Sequence, residues 1–386
     1  MELERVHNMK IGKLNFKEFA AQKPLNITPS GEFLTASEIA KKPVLSLGSL
    51  FQLDTKQQLK LAVKRFEIEP DFRLGIIGVG LLTKTEVIEH LRRQTEFGRV
   101  ALRAEMGYCN ELIEELVGGG KTTSWPIIPK KPIPIKPNWR PEKKCISLKL
   151  INRILFCENT TDSVTRPFAA YRAKNVHPAF KSRGYSLKVL EGTDDVKTNF
   201  EPLAKHPLTV YLSGVGHGNY NVYTGHWGDY LLEASQYSSS VVRNKAIHFL
   251  SCRTARDLGP DTIKKGAKCY AGYMENFILQ WDDGSTPAVN EFELFARSDS
   301  TFDIMMANGA TAQTAYSATI QAFNAARAQV PNTVAATYLT WDRDNFKLHG
   351  DGGHSLLLPY RYIRICYPLK SLEQEEALIK AGDQAD

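Results

Sequence analysis

Between residues 150 and 273 the chain carries five short apolar runs: LINRILFC (150–157), SLKVL (186–190), LTVYLS (208–213), AIHFLS (246–251) and KCYAGY (268–273). Segments with helical spacing at 167–183, 195–205 and 257–265 fall between them. Near-continuous apolar strands separated by helices predict an α/β fold, a mostly parallel sheet sandwiched by helices. A long helix near 302–328 and two late strands, 334–340 and 355–366, complete the predicted domain. In such sheets ligands bind beyond the carboxyl ends of the strands, so the residues just past each run are the first candidates for chemistry.

The first third reads differently. TKQQLKLAVKRF at 55–66 has helical spacing, and FRLGIIGVG at 72–80 reads as one buried strand. Thr83 and Glu86 form a capping-box pattern for a helix over 84–95, and a longer helix over 98–117 ends at Gly118. This predicts a small α+β recognition or docking domain over 1–118. His90 and Cys109 sit in it without partners that would make a catalytic set. Six of the 19 prolines then fall between Pro126 and Pro141, among lysines and with Trp125 and Trp139. Because proline locks φ and removes a donor, 119–144 is expected to be an extended linker, with the main domain over 145–386. The GGGKTT at its entrance is no phosphate loop, since Glu115 stands where the first glycine belongs and the preceding segment is helical.

Two strand ends carry chemistry. The run TVYLS leads into GVGHGNY, putting His217 between Gly216 and Gly218, and AIHFLS leads into Cys252, Arg253 and Thr254. A thiol attacks as its thiolate and needs a partner that takes its proton; imidazole is the usual one. Glycines flanking the histidine permit positive φ and close approach of a substrate backbone. The amides of Gly218 and Cys252 could then stabilise an oxyanion together. For the pair alone the plainer account stays open: a buried small hydrophobe and a polar turn residue.

The blocks VYLSGVGHG, AIHFLSCRTARDLGP and KKGAKCYAGYMENF, in that order and spacing, resemble the caspase-like (clan CD) cysteine peptidases. The likeness is greatest to the bacterial CHAT-type and gingipain-like branch, where one strand ends in HG and the next in SC, and a glycine-alanine pair like Gly266 and Ala267 opens the following strand. ILFCENTTDSVTRPFAAYRAKN followed by RGYSLKVLEG looks like that fold's opening strand, loop, helix and second strand. The resemblance covers roughly 150–350. It implies His217 as general base and Cys252 as nucleophile, with Gly218 in the oxyanion hole. It also implies that the loop ENTTDSVTRPF borders the pocket for the residue before the cut. There Asp162 would select a basic side chain, with Asp257 adding a second negative charge, or Arg166 would select an acidic one; a mutual Asp162–Arg166 pair would leave the pocket neutral. For Asp257 the safer account is a cap on the helix next to it.

Other candidates rank lower. His226 lies well past its apolar run, His248 is deeper in its strand and suits a core histidine, and Cys269 falls inside a strand. Asp282, Asp283, Asp342, Asp344 and Asp351 lack calcium-loop spacing, so no cofactor is expected, although calcium occurs among relatives of the resembled fold. Six scattered cysteines without a CxxC pair suit reduced thiols, and a zinc site is not expected. No leader-like or membrane-spanning run appears, and a net charge of +7 on 386 residues does not call for nucleic acid. The expectation is a cytoplasmic cysteine endopeptidase that cleaves a protein partner through a thioester acyl-enzyme. The N-terminal domain would dock an activating protein. A non-catalytic caspase-like scaffold and a proenzyme that cuts its own linker are the alternatives.

Overall fold

The computed structural model describes residues 8–28, 30–41, 50, 53–77, 79–117, 144–281, 291–356 and 359–367. The expected linker lies outside the described residues except for Lys144, and so do the GGGKTT stretch, Asp282 and Asp283.

Two small hairpins and two short helices come first: β1 (Asn8–Ile11), β2 (Leu14–Lys17), α1 (Glu18–Gln22), β3 (Pro24–Ile27), β4 (Phe33–Thr35) and α2 (Ala36–Lys41). Helix α3 (Thr55–Ile68) starts at a capping box in which Asp54 accepts from the Gln57 amide. The apolar run at 72–80 is not one strand. It is the first arm and turn of a hairpin, β5 (Arg73–Ile76) and β6 (Gly80–Thr83), because Gly80 takes a left-handed φ of 113° and turns the chain back. Thr83 and Glu86 do form the capping box that starts α4 (Lys84–Arg93), and α5 (Glu96–Val117) comes next.

Asn152 separates β7 (Lys144–Ile151) from β8 (Arg153–Glu158). Then come α6 (Thr165–Asn175), α7 (His177–Ser182), β9 (Ser186–Glu191), α8 (Lys197–Lys205) and β10 (Thr209–Val215). A short antiparallel sheet, β11 (His217–Asn219), β12 (Val222–Thr224) and β13 (Tyr230–Glu233), leads to β14 (Ala246–Leu250), α9 (Leu258–Lys264), β15 (Cys269–Tyr273) and β16 (Ile278–Trp281). The chain continues through α10 (Glu291–Ala307), α11 (Ala312–Gln329), α12 (Val334–Asn345), β17 (Phe346–Gly350) and β18 (Tyr360–Tyr367). The single helix expected near 302–328 is broken at Gly309, with Thr311 capping α11 by accepting from the Thr314 amide. The strand expected at 334–340 is the helix α12. Residues 334–340 are all buried, so neither helical nor strand period survives in that stretch of the sequence.

The main sheet has the order β17-β15-β14-β10-β8-β9, parallel except for β17. Alternation along each strand divides two cores. Ile154, Phe156, Tyr211 and Val215 face α6, α7 and α10, while Leu155, Cys157, Leu212 and Phe249 face α8 and α9. The fold is therefore the expected helix-covered, mostly parallel α/β sheet, preceded by small N-terminal sheets.

The first third is not packed apart from the rest. One apolar core runs from Ile11 to Leu356, and β5 pairs antiparallel with β16. Buried charges cross as well: Arg65 bonds Glu105 at 2.5 Å and the Asn332 side chain at 2.9 Å, and Glu69 accepts from the first amide of α12 at 3.0 Å.

Candidate active site

The order of the sheet makes a switch between β8 and β10, because β8 connects outward to β9 and the chain then returns to the other side. Three neighbouring strands, β8, β10 and β14, end at Glu158, Val215 and Leu250. Asp162, His217 and Cys252 lie within four residues of those ends, which brings the three to one edge.

His217 opens β11, and its Nε2 lies 2.8 Å from Oδ2 of Asp162. Asp162 is held by its own loop: Oδ1 accepts from the amides of Val164 (2.7 Å) and Thr165 (3.0 Å), and Oδ2 accepts from the Thr165 hydroxyl (2.8 Å). Burial pushes the carboxyl upward, but the bonds from His217 and Thr165 outweigh it and hold the pKa well below the usual carboxylate range. A charged, fixed carboxylate thus orients the ring. The other ring nitrogen, Nδ1, is buried and finds no hydrogen-bond partner among the described residues.

Gly218 explains the second half of the arrangement. It needs no positive φ, contrary to the reading of its flanking glycines, and neither does Gly216. It is glycine because a Cβ there would come within 2.8 Å of the Cys252 carbonyl oxygen and 2.6 Å of the Thr254 methyl. The histidine strand and the cysteine turn are therefore in backbone contact. Left-handed conformation appears instead at Arg253, with φ of 63°, where a non-glycine residue costs about 1 kcal/mol or more. The Arg253 amide donates to the Glu275 carbonyl at 3.1 Å and pins this turn.

Cys252 itself is only 2% exposed, and its thiol donates to the backbone oxygen of Ile77 at 2.8 Å. Burial pushes its pKa up to about 12, although the Phe277 backbone beside it works the other way. The His217 ring and the thiol are not hydrogen-bonded to each other. Position 252 does not lie open at the mouth of the sheet, because Ile77 of the β5–β6 hairpin covers it.

The remaining candidates separate. Arg166 is not paired with Asp162; it donates to the carbonyls of Thr160 (3.1 Å) and Thr161 (3.5 Å). Asp257 stands at the start of α9 but its side chain makes no capping bond, and it is exposed. His248 is a fully buried core histidine, 3.0 Å from Asp303, and Cys269 is buried in β15 with its thiol pushed up to about 12 by burial. His226 lies in the β12–β13 turn, bonded through its amide to the Asp195 carbonyl. Asp342 accepts from the Ile278 amide, Asp344 pairs with Arg343, and Asp351 accepts from the Gly353 amide. Among the described residues no cluster of three potential metal ligands forms, and no helix is long and apolar enough to cross a membrane.

No family model and no curated protein matches this chain. Solved structures do. The Arg-specific cysteine proteinase gingipain R is similar at a TM-score of 0.36 and 9% identity, over 54% of this chain and 48% of that one. A complex of the pro- and mature domains of the Porphyromonas gingivalis proteinase gives 0.36 and 8%, over 54% and 48%. A third structure, described only as a protease, gives 0.34 and 17%, over 54% and 49%. The chain thus spans about half the length of the solved structures it matches.

Proposed function

We propose that this chain is a cysteine endopeptidase in which Cys252 is the nucleophile, His217 the general base and Asp162 the residue that orients His217. The observation that carries this reading is the divided use of the imidazole. Nε2 is anchored on Asp162, while buried Nδ1 is left without a partner on the strand that abuts the Cys252 turn. A ring held in this way is prepared to take a proton from one side only.

In the reaction, Nδ1 takes the thiol proton as Sγ attacks the scissile carbonyl carbon. Collapse of the tetrahedral species breaks the C–N bond, and the imidazolium gives its proton to the leaving amine. Water, deprotonated by the same ring, then hydrolyses the thioester and restores the thiol. The Gly218 and Cys252 amides are the proposed oxyanion donors, and the substrate is a protein. Asp162 is a positioning residue in this scheme and not the specificity determinant, since its oxygens are engaged by His217 and by its own loop.

One observation favours the second reading, a non-catalytic scaffold: the Cys252 thiol is covered and bonded to Ile77. Hydrolysis of a protein or peptide library by the full chain separates the two. Activity that falls by about 100-fold or more in both Cys252→Ala and His217→Ala supports the peptidase. Unchanged cleavage in Cys252→Ala sinks that assignment, and absence of cleavage under every condition favours the scaffold. Self-cleavage is read from the same samples, as fragments near 1–125 and 126–386. The docking role of residues 1–118 is a further proposal; an activator that changes turnover would act through that region.

A further inference from the structure

The most informative contact of this molecule lies between residues 175 positions apart, Cys252 and Ile77. Ile77 directly follows β5, and β5 is not a free arm. It pairs with β16 in the register Ile76↔Ile278, Gly75↔Leu279, Leu74↔Gln280 and Arg73↔Trp281. The segment leading into β16 also wraps the nucleophile. Phe277 is fully buried, the Glu275 carbonyl accepts from the Arg253 amide, and the Ile278 amide donates to Asp342.

The same hairpin touches the opposite side of the site. A Cβ at Gly75 would lie 2.9 Å from the Leu279 side chain and 3.5 Å from that of Val164, and Val164 belongs to the loop that holds Asp162. An ion pair adds a tie outside the hairpin: Arg253 meets Glu96, at the start of α5, at 2.5 Å. Glu96 is mostly exposed, so this tie is weak.

We propose that the β5–β6 hairpin is an intramolecular lock on the site. While Ile77 accepts from Cys252, a peptide carbonyl cannot reach Sγ and the thiol cannot bond His217, so turnover requires the hairpin to leave β16. This rests on the peptidase reading above, and it assigns the regulation of that site to a segment from the first third of the chain. Release breaks the four-residue β5–β16 pairing and uncovers Leu74, Ile76 and Ile77, which are buried, while the six-stranded sheet keeps its order. Sub-global openings of this kind lie below the free energy of global unfolding.

The test is alkylation of the full chain with iodoacetamide, with Cys252 followed by peptide mass analysis. In the wild type Cys252 should react at least 100-fold more slowly than the same thiol in urea. Its protection should equal the amide-exchange protection of the β5–β16 ladder and fall well below that of β10–β14. Gly75→Val, whose side chain must displace Leu279, should speed labelling at least 10-fold and raise peptidase turnover in parallel. If that variant does not fold, the wild-type comparison of labelling with amide exchange still decides.

Labelling of native Cys252 at the urea rate would overturn the lock and leave the peptidase reading untouched. So would protection equal to that of the β10–β14 core, because only global unfolding would then expose the thiol. Faster labelling of Gly75→Val with no cleavage of any peptide would uphold the cover over Cys252 and remove the peptidase reading.

Discussion

Asp162 and His217, 55 positions apart, meet at 2.8 Å between Oδ2 and Nε2, across the gap where the connections of the sheet diverge. The carboxylate leaves β8 and the imidazole leaves β10, so the pairing exists only because those strands are neighbours. It engages with the histidine ring a carboxylate that the sequence suggested for substrate selection.

Asp162→Asn should therefore lower kcat by about 10²- to 10⁴-fold while shifting KM and the preferred residue before the cut little. The amide keeps the shape but favours the wrong ring nitrogen. Steady-state kinetics on a peptide panel check this. A change of preference with kcat intact would return Asp162 to the pocket. The pairing should also fail in acid: Asp162 is held charged in the fold, so its contribution is present above the ordinary carboxylate range and is lost as pH falls below it.

Arg166→Ala should leave activity and selectivity within about twofold of wild type. Its guanidinium donates to the carbonyls of Thr160 and Thr161, on its own exposed loop, and surface contacts of that kind contribute about 0.5 kcal/mol or less. Loss of a preference for acidic residues in this variant would contradict the assignment.

Cys252→Ala should destabilise the fold by about 1–2 kcal/mol, in addition to ending catalysis, because it removes a buried sulfur and its bond to Ile77. Cys252→Ser should recover part of that loss by donating to the same oxygen. Urea denaturation measures both. A denaturation midpoint unchanged in Cys252→Ala would mean that the thiol is not packed beneath the hairpin.

A buried network beneath the sheet should govern stability against pH. Asp303 accepts from Arg172 (2.7 Å), His248 (3.0 Å), Tyr211 (2.7 Å) and Ser213 (2.7 Å). Burial alone would lower the His248 pKa, but Asp303 and Asp299 outweigh it and hold it up at about 9. His248 thus contributes fully below its unfolded value near 6.5, and that contribution, on the order of 3 kcal/mol at most, is lost as pH rises through about 9. Against His248→Gln, the wild type should lose its extra stability between pH 6.5 and 9. Asp303→Asn should cost about 3–5 kcal/mol at neutral pH, because it leaves two buried cations poorly paired. Calorimetry across pH tests both.

The architecture was legible where strands are buried on both faces and end in unusual residues. The runs at 186–190, 208–213, 246–251 and 268–273 lie within two residues of β9, β10, β14 and β15, and the Thr83–Glu86 capping box forms as its spacing implies. Legibility failed where one local pattern serves two structures. VAATYLT has no polar face because the first seven residues of α12 are all buried, and FRLGIIGVG hides a hairpin inside an apolar run. His217 and Cys252 stood out by their neighbours in the sequence. The role of Asp162 and the cover by Ile77 did not, because each depends on a contact between distant segments that no local pattern records.

The most direct measurement is intact-mass labelling of the full chain with a peptidyl acyloxymethyl ketone, with the modified residue then mapped. A thiol reacts with such a warhead at a useful rate only when it is seated in a working catalytic site with its base. The account predicts one adduct per chain, on Cys252, absent in Cys252→Ala, at least 100-fold slower in His217→Ala and slowed in Asp162→Asn. An adduct on another cysteine, or labelling of Cys252 that ignores the loss of His217, would contradict it.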